Sequence, residues 1–477
     1  MKQINAVFIL ICMLATMILL TSCAVSGDSF VDDSMSAAPD NGVGYLPDAD
    51  FDGTYVPDAD IDDSYLLGKG ELSAPSKGGA YASGESDSYL PGADMGEGES
   101  TDDTVSNVPD EGIVLPAGMI TAGAWNDNIY YNDWIALFSQ EEETCGKFFS
   151  YTNPDNSWGY NSLDRVNVRV NNEDGPVAGA SVVAYDNQDN VVFSAITDAE
   201  GNAYLFPNLK EGNIRVTSGT ENVNASFTAN DRYITVELAE KGNKLNVIEL
   251  MLVVDVTGSM SDEIDFLKAE LADVVNRIAE NDSETVIKLA MLFYRDTDDK
   301  VPFDYYDFTD VTTPEGLIKQ QSELNKQGAS GGGDYPEAVD EALNIAVNKQ
   351  WSTGSTTKII FHVLDAPAHS GQKYKEKLKN SIKTAAEKGI RICPIICSGA
   401  SDDTEYTMRE AAIYTGGTFI FVTDDSGIGN GHHDPGLPNA TVELLNSMMV
   451  RLVKGYHTGE FEDPIYWKQD PNLGTNE

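Results

Sequence analysis

The sequence predicts a multidomain chain: an α/β doubly wound, mostly parallel sheet, preceded by a small antiparallel β-sandwich and a disordered acidic N-terminal segment. Three observations carry this. From residue 246 onward, long apolar runs alternate with amphipathic helical stretches, the order that builds a parallel sheet. From Asp164 to about Glu240 the apolar period falls to two, in short runs separated by turn residues. Between Cys23 and Leu115 there are 21 acidic residues and only two basic ones, Lys69 and Lys77, with few apolar residues to bury.

The chain begins with Lys2, an apolar stretch from Ala6 to Leu20, and then Thr21-Ser22-Cys23. A charged start and a short apolar run have the form of a secretion signal, too short for a stable membrane span. The small-residue site ending in cysteine resembles the lipobox of bacterial lipoproteins. That resemblance implies removal of residues 1–22, lipidation of Cys23, and an exported protein anchored to the membrane of the cell envelope. Several acyl chains hold a protein durably where one does not.

Residues 23–115 read as an acidic stalk. A short unit recurs in it at Tyr45-Leu46-Pro47, Tyr55-Val56-Pro57 and Tyr89-Leu90-Pro91. Asp48-Ala49-Asp50-Phe51-Asp52-Gly53 opens like a calcium loop, but its twelfth position is Ala59 rather than a bidentate glutamate, which argues against calcium there. The formal charge of −46 argues against nucleic acid as a partner, since phosphate contacts need clustered lysine and arginine. Residues 116–160, rich in aromatics such as Trp125, Trp134 and Phe148, read as an ordered lead-in packed against the next domain.

The β-sandwich is expected over 161–241. Its strands centre on Val166-Asn167-Val168-Arg169-Val170, on 180–185 and on Ile214-Arg215-Val216, with turns at Glu173-Asp174-Gly175-Pro176 and 197–201. The run from Gly175 to Ala203 resembles the carboxypeptidase-regulatory-like, transthyretin-like modules of bacterial surface proteins, which implies a spacer without chemistry of its own.

The α/β domain is expected over 246–457, with a tail at 458–477. Residues 247–254 are almost wholly apolar, the mark of a strand buried on both faces. Ile264, Leu267, Leu271, Val274, Val275 and Ile278 fall on one helical face after it, with Ser261 as a candidate cap. Further helices are expected over 337–347, 374–387 and 442–453. Cys393 and Cys397, four apart on a buried strand, would lie roughly 13 Å from each other, beyond disulfide reach.

The first strand ends in Asp255-Val256-Thr257-Gly258-Ser259, a carboxylate and two hydroxyls around a tight turn. These are hard oxygen ligands at the carboxyl end of a strand, where open α/β sheets hold ligands. They cannot satisfy a dication alone, and two later places offer more oxygens. A second apolar strand ends at Asp365-Ala366-Pro367-Ala368-His369, and Gly331-Gly332-Gly333-Asp334-Tyr335-Pro336-Glu337 is a Gly-rich loop running into a helix.

Taken with Phe293-Tyr294-Arg295-Asp296 and Tyr414-Thr415-Gly416-Gly417, these loops resemble the metal-ion-dependent adhesion site of von Willebrand factor type A domains, in the subgroup carrying GGGDxPE and DAPxH. The resemblance implies a divalent metal on Asp255, Thr257, Ser259 and Asp365, with Asp334 where the family usually has threonine. Oxygen donors favour Mg²⁺, with Ca²⁺ or Mn²⁺ as alternatives, over Zn²⁺. Either Asp334 is a ligand, giving a filled site of about −1 that repels acidic partners, or it turns away and the site accepts a partner's carboxylate.

His369 is expected at the rim. His432-His433-Asp434 reads as a solvated loop, and Arg295-Asp296 as a local ion pair. The sequence has no Ser/His/Asp arrangement, no phosphate loop and no H-E-x-x-H, so it points to binding rather than catalysis. The expectation is a surface protein that holds a protein ligand through the metal-bearing face, the alternative being an assembly role in which the metal only braces loops.

Overall fold

The computed structural model describes residues 116–474, apart from 142–143, 240–244, 281–284, 334, 355 and 438. The signal segment, Cys23, the acidic stalk and Asp334 lie outside the described residues. Among the described residues no helix is long and apolar enough to cross a membrane.

One eight-stranded sheet organises the larger part. Its strands, in chain order, are β1 (Thr121–Trp125), β2 (Val247–Asp255), β3 (Val286–Tyr294), β4 (Phe303–Asp310), β5 (Thr356–Leu364), β6 (Ile390–Ile396), β7 (Phe419–Val422) and β8 (Val442–Leu444). In space they run β4-β3-β2-β5-β6-β7-β1-β8. The five strands from β3 to β7 are mutually parallel, whereas β4 and β1 run antiparallel to their neighbours. The sheet is thus mostly parallel, as the apolar runs require: β2 is buried at every position after Val247.

Six helices cover the two faces: α1 (Ile264–Glu280), α2 (Pro314–Asn325), α3 (Val339–Val347), α4 (Gln372–Lys388), α5 (Asp402–Thr415) and α6 (Leu445–Thr458). Alternate residues of β2 point to opposite sides. Leu250, Leu252 and Val254 join Leu267, Leu271 and Val274 of α1 and Met448 of α6 in one core. Met251 and Val253 join Val339 and Leu343 of α3 and Leu378 of α4 in the other.

Two local expectations need correction. Gly258–Asp262 winds into a 3-10 turn, so Ser261 lies inside that turn instead of capping α1. The stretch 442–453 is not helical throughout, because Val442–Leu444 is taken up as strand β8 beside β1 before α6 begins. Cys393 and Cys397 are buried free thiols.

The lead-in does more than pack on a neighbouring domain. Its strand β1 enters the sheet between β7 and β8, pairing Ala122 with Val422 and Thr121 with Leu444. The docking is fixed by a buried carboxylate: Glu270 of α1 accepts from the backbone N–H groups of Gly118 at 2.9 Å, Met119 at 2.7 Å and Ile120 at 2.9 Å. The end of the tail returns to the same place, Gly474 N–H donating to Gly118 O at 2.9 Å.

Between β1 and β2, besides the short ladder of Gln140–Glu141 with Thr144–Cys145, the described residues form two further small β-sheets. One contains Ser181–Tyr185, Val191–Ile196, Gly212–Ser218 and Glu221–Phe227, all antiparallel. The other is centred on Val166–Asn172, which pairs antiparallel with Asn202–Leu205 but parallel with Tyr233–Glu237, a departure from an all-antiparallel arrangement. Each sheet buries one face, and Val168, Val182, Val216 and Val236 share a core.

Candidate metal centre

Chain order places β3 on one side of β2 and β5 on the other. The order therefore reverses between β2 and β5, and ligands of open α/β sheets sit at the carboxyl ends of such a pair. Asp255 ends β2 and Asp365 comes directly after β5, so the two aspartates face the same crevice from neighbouring strands.

Asp255 is fully buried. Its Oδ1 accepts from the Thr257 backbone N–H at 2.9 Å and the Thr257 hydroxyl at 2.7 Å, while Thr257 and Ser259 hydroxyl oxygens lie 3.1 Å apart. The motif's three side chains thus contact one another in succession, Asp255 to Thr257 and Thr257 to Ser259. A purely local role, bracing the turn, uses only Oδ1. The buried Oδ2 of Asp255 has no hydrogen-bond partner among the described residues. A carboxylate oxygen removed from water without a partner is costly, and a cation is the group that would satisfy it.

The Gly-rich loop is tied to this turn by main-chain bonds, Gly258 N–H to Gly331 O at 3.1 Å and Ser330 N–H to Val256 O at 2.9 Å. Gly331 and Gly332 have φ of +79° and +72°, so the loop needs glycine. A Cβ on Gly332 would stand 2.7 Å from Glu337 Oε1 and 3.2 Å from Thr257 Cβ. The tyrosine of the loop, Tyr335, donates to Gly399 O at 3.1 Å. Asp334 itself is outside the described residues.

Glu337 is a site residue that the sequence does not single out. In sequence it marks only the start of a helix, yet its side chain is buried at the loop's edge and its Oε2 has no hydrogen-bond partner among the described residues. Burial, and then the charges of Asp255, Asp296, Asp365 and Asp299, push its pKa up to about 9. Burial and then Asp365 push Asp255 up to about 7, against the lowering effect of the Thr257 hydrogen bonds.

Behind Asp255 lies a buried polar pair. The Tyr294 hydroxyl sits 3.2 Å from Nε2 of His362, an imidazole that full burial holds near a pKa of about 3 and therefore neutral. At the rim, His369 Nε2 lies 3.1 Å from Asp296 Oδ1. That contact replaces the expected Arg295–Asp296 pair, because Arg295 is turned to the carbonyls of Ser330 at 2.7 Å and Gly328 at 3.3 Å.

The loop His432-His433 is not simply solvated. His432 bridges Glu263 Oε1 at 2.9 Å and Asp424 Oδ1 at 2.7 Å. His433 gathers Glu405 and Asp402 within metal-ligating distance, but the Lys147 ammonium also contacts Glu405 and lies 3.6 Å from Asp402, supplying that cluster with a cation of its own. The partners of the two histidines include Glu263, α5 and the lead-in, all outside the loop, so the loop alone does not reveal them.

Residues 249–424 match the family model of the von Willebrand factor A domain. The curated relatives include a putative ariadne-like RING finger protein of Acanthamoeba polyphaga mimivirus, 25% identical over 224 residues (43% of this chain, 20% of that protein). A second is the alpha-protein kinase vwkA of Dictyostelium discoideum, 25% identical over 160 residues (33% and 24%). The chain thus spans 20% and 24% of the length of these relatives. Among solved structures, BatB from Bacteroides thetaiotaomicron is 18% identical, covering 37% of this chain and 90% of that one at a TM-score of 0.28. The pilus adhesin SpaC from Lactobacillus rhamnosus GG is 10% identical, covering 63% and 40% at 0.34.

Proposed function

We propose that the chain is a lipid-anchored bacterial surface protein whose A domain binds a protein partner through a divalent cation, and that it is not an enzyme. Asp255, Thr257, Ser259 and Asp365 would hold the ion, Mg²⁺ by preference, which would supply a Lewis-acidic position for a carboxylate of the partner. The observation that carries this reading is the buried, unpartnered Oδ2 of Asp255 at the strand-order reversal, with Glu337 beside it. Carboxylates forced together out of water attract protons or a cation, and metal binding displaces the protons. Cys23 and the acidic stalk would anchor and extend the domain, and the two small sheets would serve as a transthyretin-like spacer.

Isothermal titration of Mg²⁺ into the EDTA-treated full chain tests the metal, and capture of the chain by bead-bound glutamate-containing peptides tests the partner chemistry. Both signals should vanish in Asp255→Ala. Unchanged capture in EDTA and in the variant would end the metal-dependent reading. Glu337 supports a second reading, a brace. A third buried carboxylate, if ionised, leaves a filled site near −1 and unreceptive to acids. The brace predicts that EDTA lowers the melting temperature while capture by any partner stays the same.

A further inference from the structure

A second site lies at the opposite edge of the sheet. Strand β7 is parallel to the strands that carry the metal centre, so Gly416 and Thr418, which precede it, mark the amino-terminal edge, and antiparallel β1 ends there at Trp125. A cavity of about 350 Å³ opens between Trp125 and Tyr130, the Asp198–Glu200 turn, the end of α6 and the segment 461–464. That volume falls in the range of small-ligand sites.

The lining is aromatic and acidic together. Trp125 and Tyr130 stack with ring centroids 4.0 Å apart, and Tyr456 meets Phe461 edge-on at 5.3 Å. Two of the five acids are matched: Asp198 faces Arg391 at 3.8 Å and Glu443 is gripped by Arg451, with Nε 2.9 Å from Oε2. Glu200, Glu462 and Asp463 make no ion pair among the described residues, which leaves an excess of negative charge around the aromatic rings. The Trp125 side chain adds an independent sign. It is 8% exposed, and its indole N–H is buried without an acceptor among the described residues.

We propose that this cavity binds an organic cation that also carries a hydrogen-bond acceptor, the ligand class being a lysine or arginine residue within a peptide. The unmatched carboxylates favour the ammonium or guanidinium, the aromatic faces accept its alkyl stem and charge, and a neighbouring peptide carbonyl satisfies the Trp125 N–H. Acidic ligands are excluded by the same carboxylates. A neutral sugar would use the rings and the N–H but leave the charge excess unanswered.

Calorimetric titration of the full chain with the capped tripeptides glycyl-lysyl-glycine, glycyl-norleucyl-glycine and glycyl-glutamyl-glycine, and with methyl glucoside, tests this. The lysyl peptide should bind and the other three should not, and added salt should weaken the binding. The double variant Glu200→Gln, Asp463→Asn, at half-buried and exposed positions, should weaken it about tenfold, and Trp125→Phe, which keeps a ring, should weaken it by about threefold. An unchanged Mg²⁺ response in both variants shows that the fold and the Asp255 site are intact, so loss here is separable from failure of the metal centre. Equal binding of the norleucyl peptide, binding of the glucoside in place of the lysyl peptide, or no binding of any probe would each overturn the assignment.

Discussion

Asp255→Asn should make the metal-free protein more stable, the reverse of what removing a buried hydrogen-bonded residue ordinarily does. The wild-type carboxyl is raised from 3.8 to about 7 by burial and by Asp365. A carboxyl so raised loses stability as pH climbs past its unfolded value, and at pH 7 the loss approaches its full extent. At 1.36 kcal/mol per pKa unit the ceiling is roughly 4 kcal/mol, and coupling to Asp365 lowers the share recoverable at one residue to about 1–3 kcal/mol. Asparagine keeps an oxygen for the Thr257 N–H and hydroxyl and puts an amide N–H where Oδ2 now lacks a partner. For a domain of this size the melting temperature should rise by about 2–10 °C in EDTA. Wild type should gain about 2.7 kcal/mol from Mg²⁺ at one hundred times its Kd, and the variant should gain almost nothing. Differential scanning calorimetry with Mg²⁺ or EDTA at pH 7 measures both. An asparagine variant that melts below wild type in EDTA, yet still responds to Mg²⁺, would refute the reasoning.

Gly332→Ala should abolish the Mg²⁺ response in the same assay and destabilise the loop by about 1–2 kcal/mol, since φ is +72° and the new Cβ meets Glu337 Oε1 at 2.7 Å. Arg409→Met should destabilise the chain by about 3–5 kcal/mol in urea unfolding, because it strands buried Asp127, now 2.9 Å from the guanidinium, while Glu405 keeps Lys147 and His433. The His432–Glu263 pair gives a pH signature. Burial opposes the charge of His432, but the hydrogen bonds it donates to Glu263 and Asp424 outweigh it and raise its pKa above 6.5. Glu263, despite burial, is held below 4.5 by His432 and the Ser398 N–H. The histidine's contribution is full below pH 6.5 and fades as pH rises through its folded pKa, and the glutamate's fades as pH falls below 4.5. The stability gap between wild type and His432→Gln should therefore be widest near pH 5–6 and shrink on the alkaline side, and a flat gap would argue against the pair. An isolated 246–457 segment should aggregate or unfold at temperatures the full chain tolerates. It lacks β1, leaves the facing edges of β7 and β8 unpaired, and strands Glu270 without its three N–H donors.

The features legible in the sequence were local ones. Asp255, Thr257 and Ser259 lie within five residues on one turn, and their convergence is a matter of backbone geometry alone. The apolar runs of β2 and β5 are long enough that only a doubly covered strand explains them. The place of β1 was not legible in this way, because the short, small-residue run Thr121-Ala122-Gly123-Ala124-Trp125 does not state what it will pair with. Its partners Phe419–Val422 and Val442–Leu444 are some three hundred residues away. Glu337, Tyr294 and His362 escaped for a related reason. Each reads as an ordinary helix-start or strand residue until the sheet brings it behind or beside Asp255.

The entry of β1 also sets how the molecule carries force. A pull on the chain ahead of residue 116, resisted at the Asp255 face, travels directly through β1 into the main sheet. The two small sheets, which leave and rejoin the chain between β1 and β2, stand outside that line of tension. Strand β1 is hydrogen-bonded antiparallel on both flanks and begins at the edge of the sheet that carries Asp255, so both points of attachment lie on that one edge and the load between them crosses the strands.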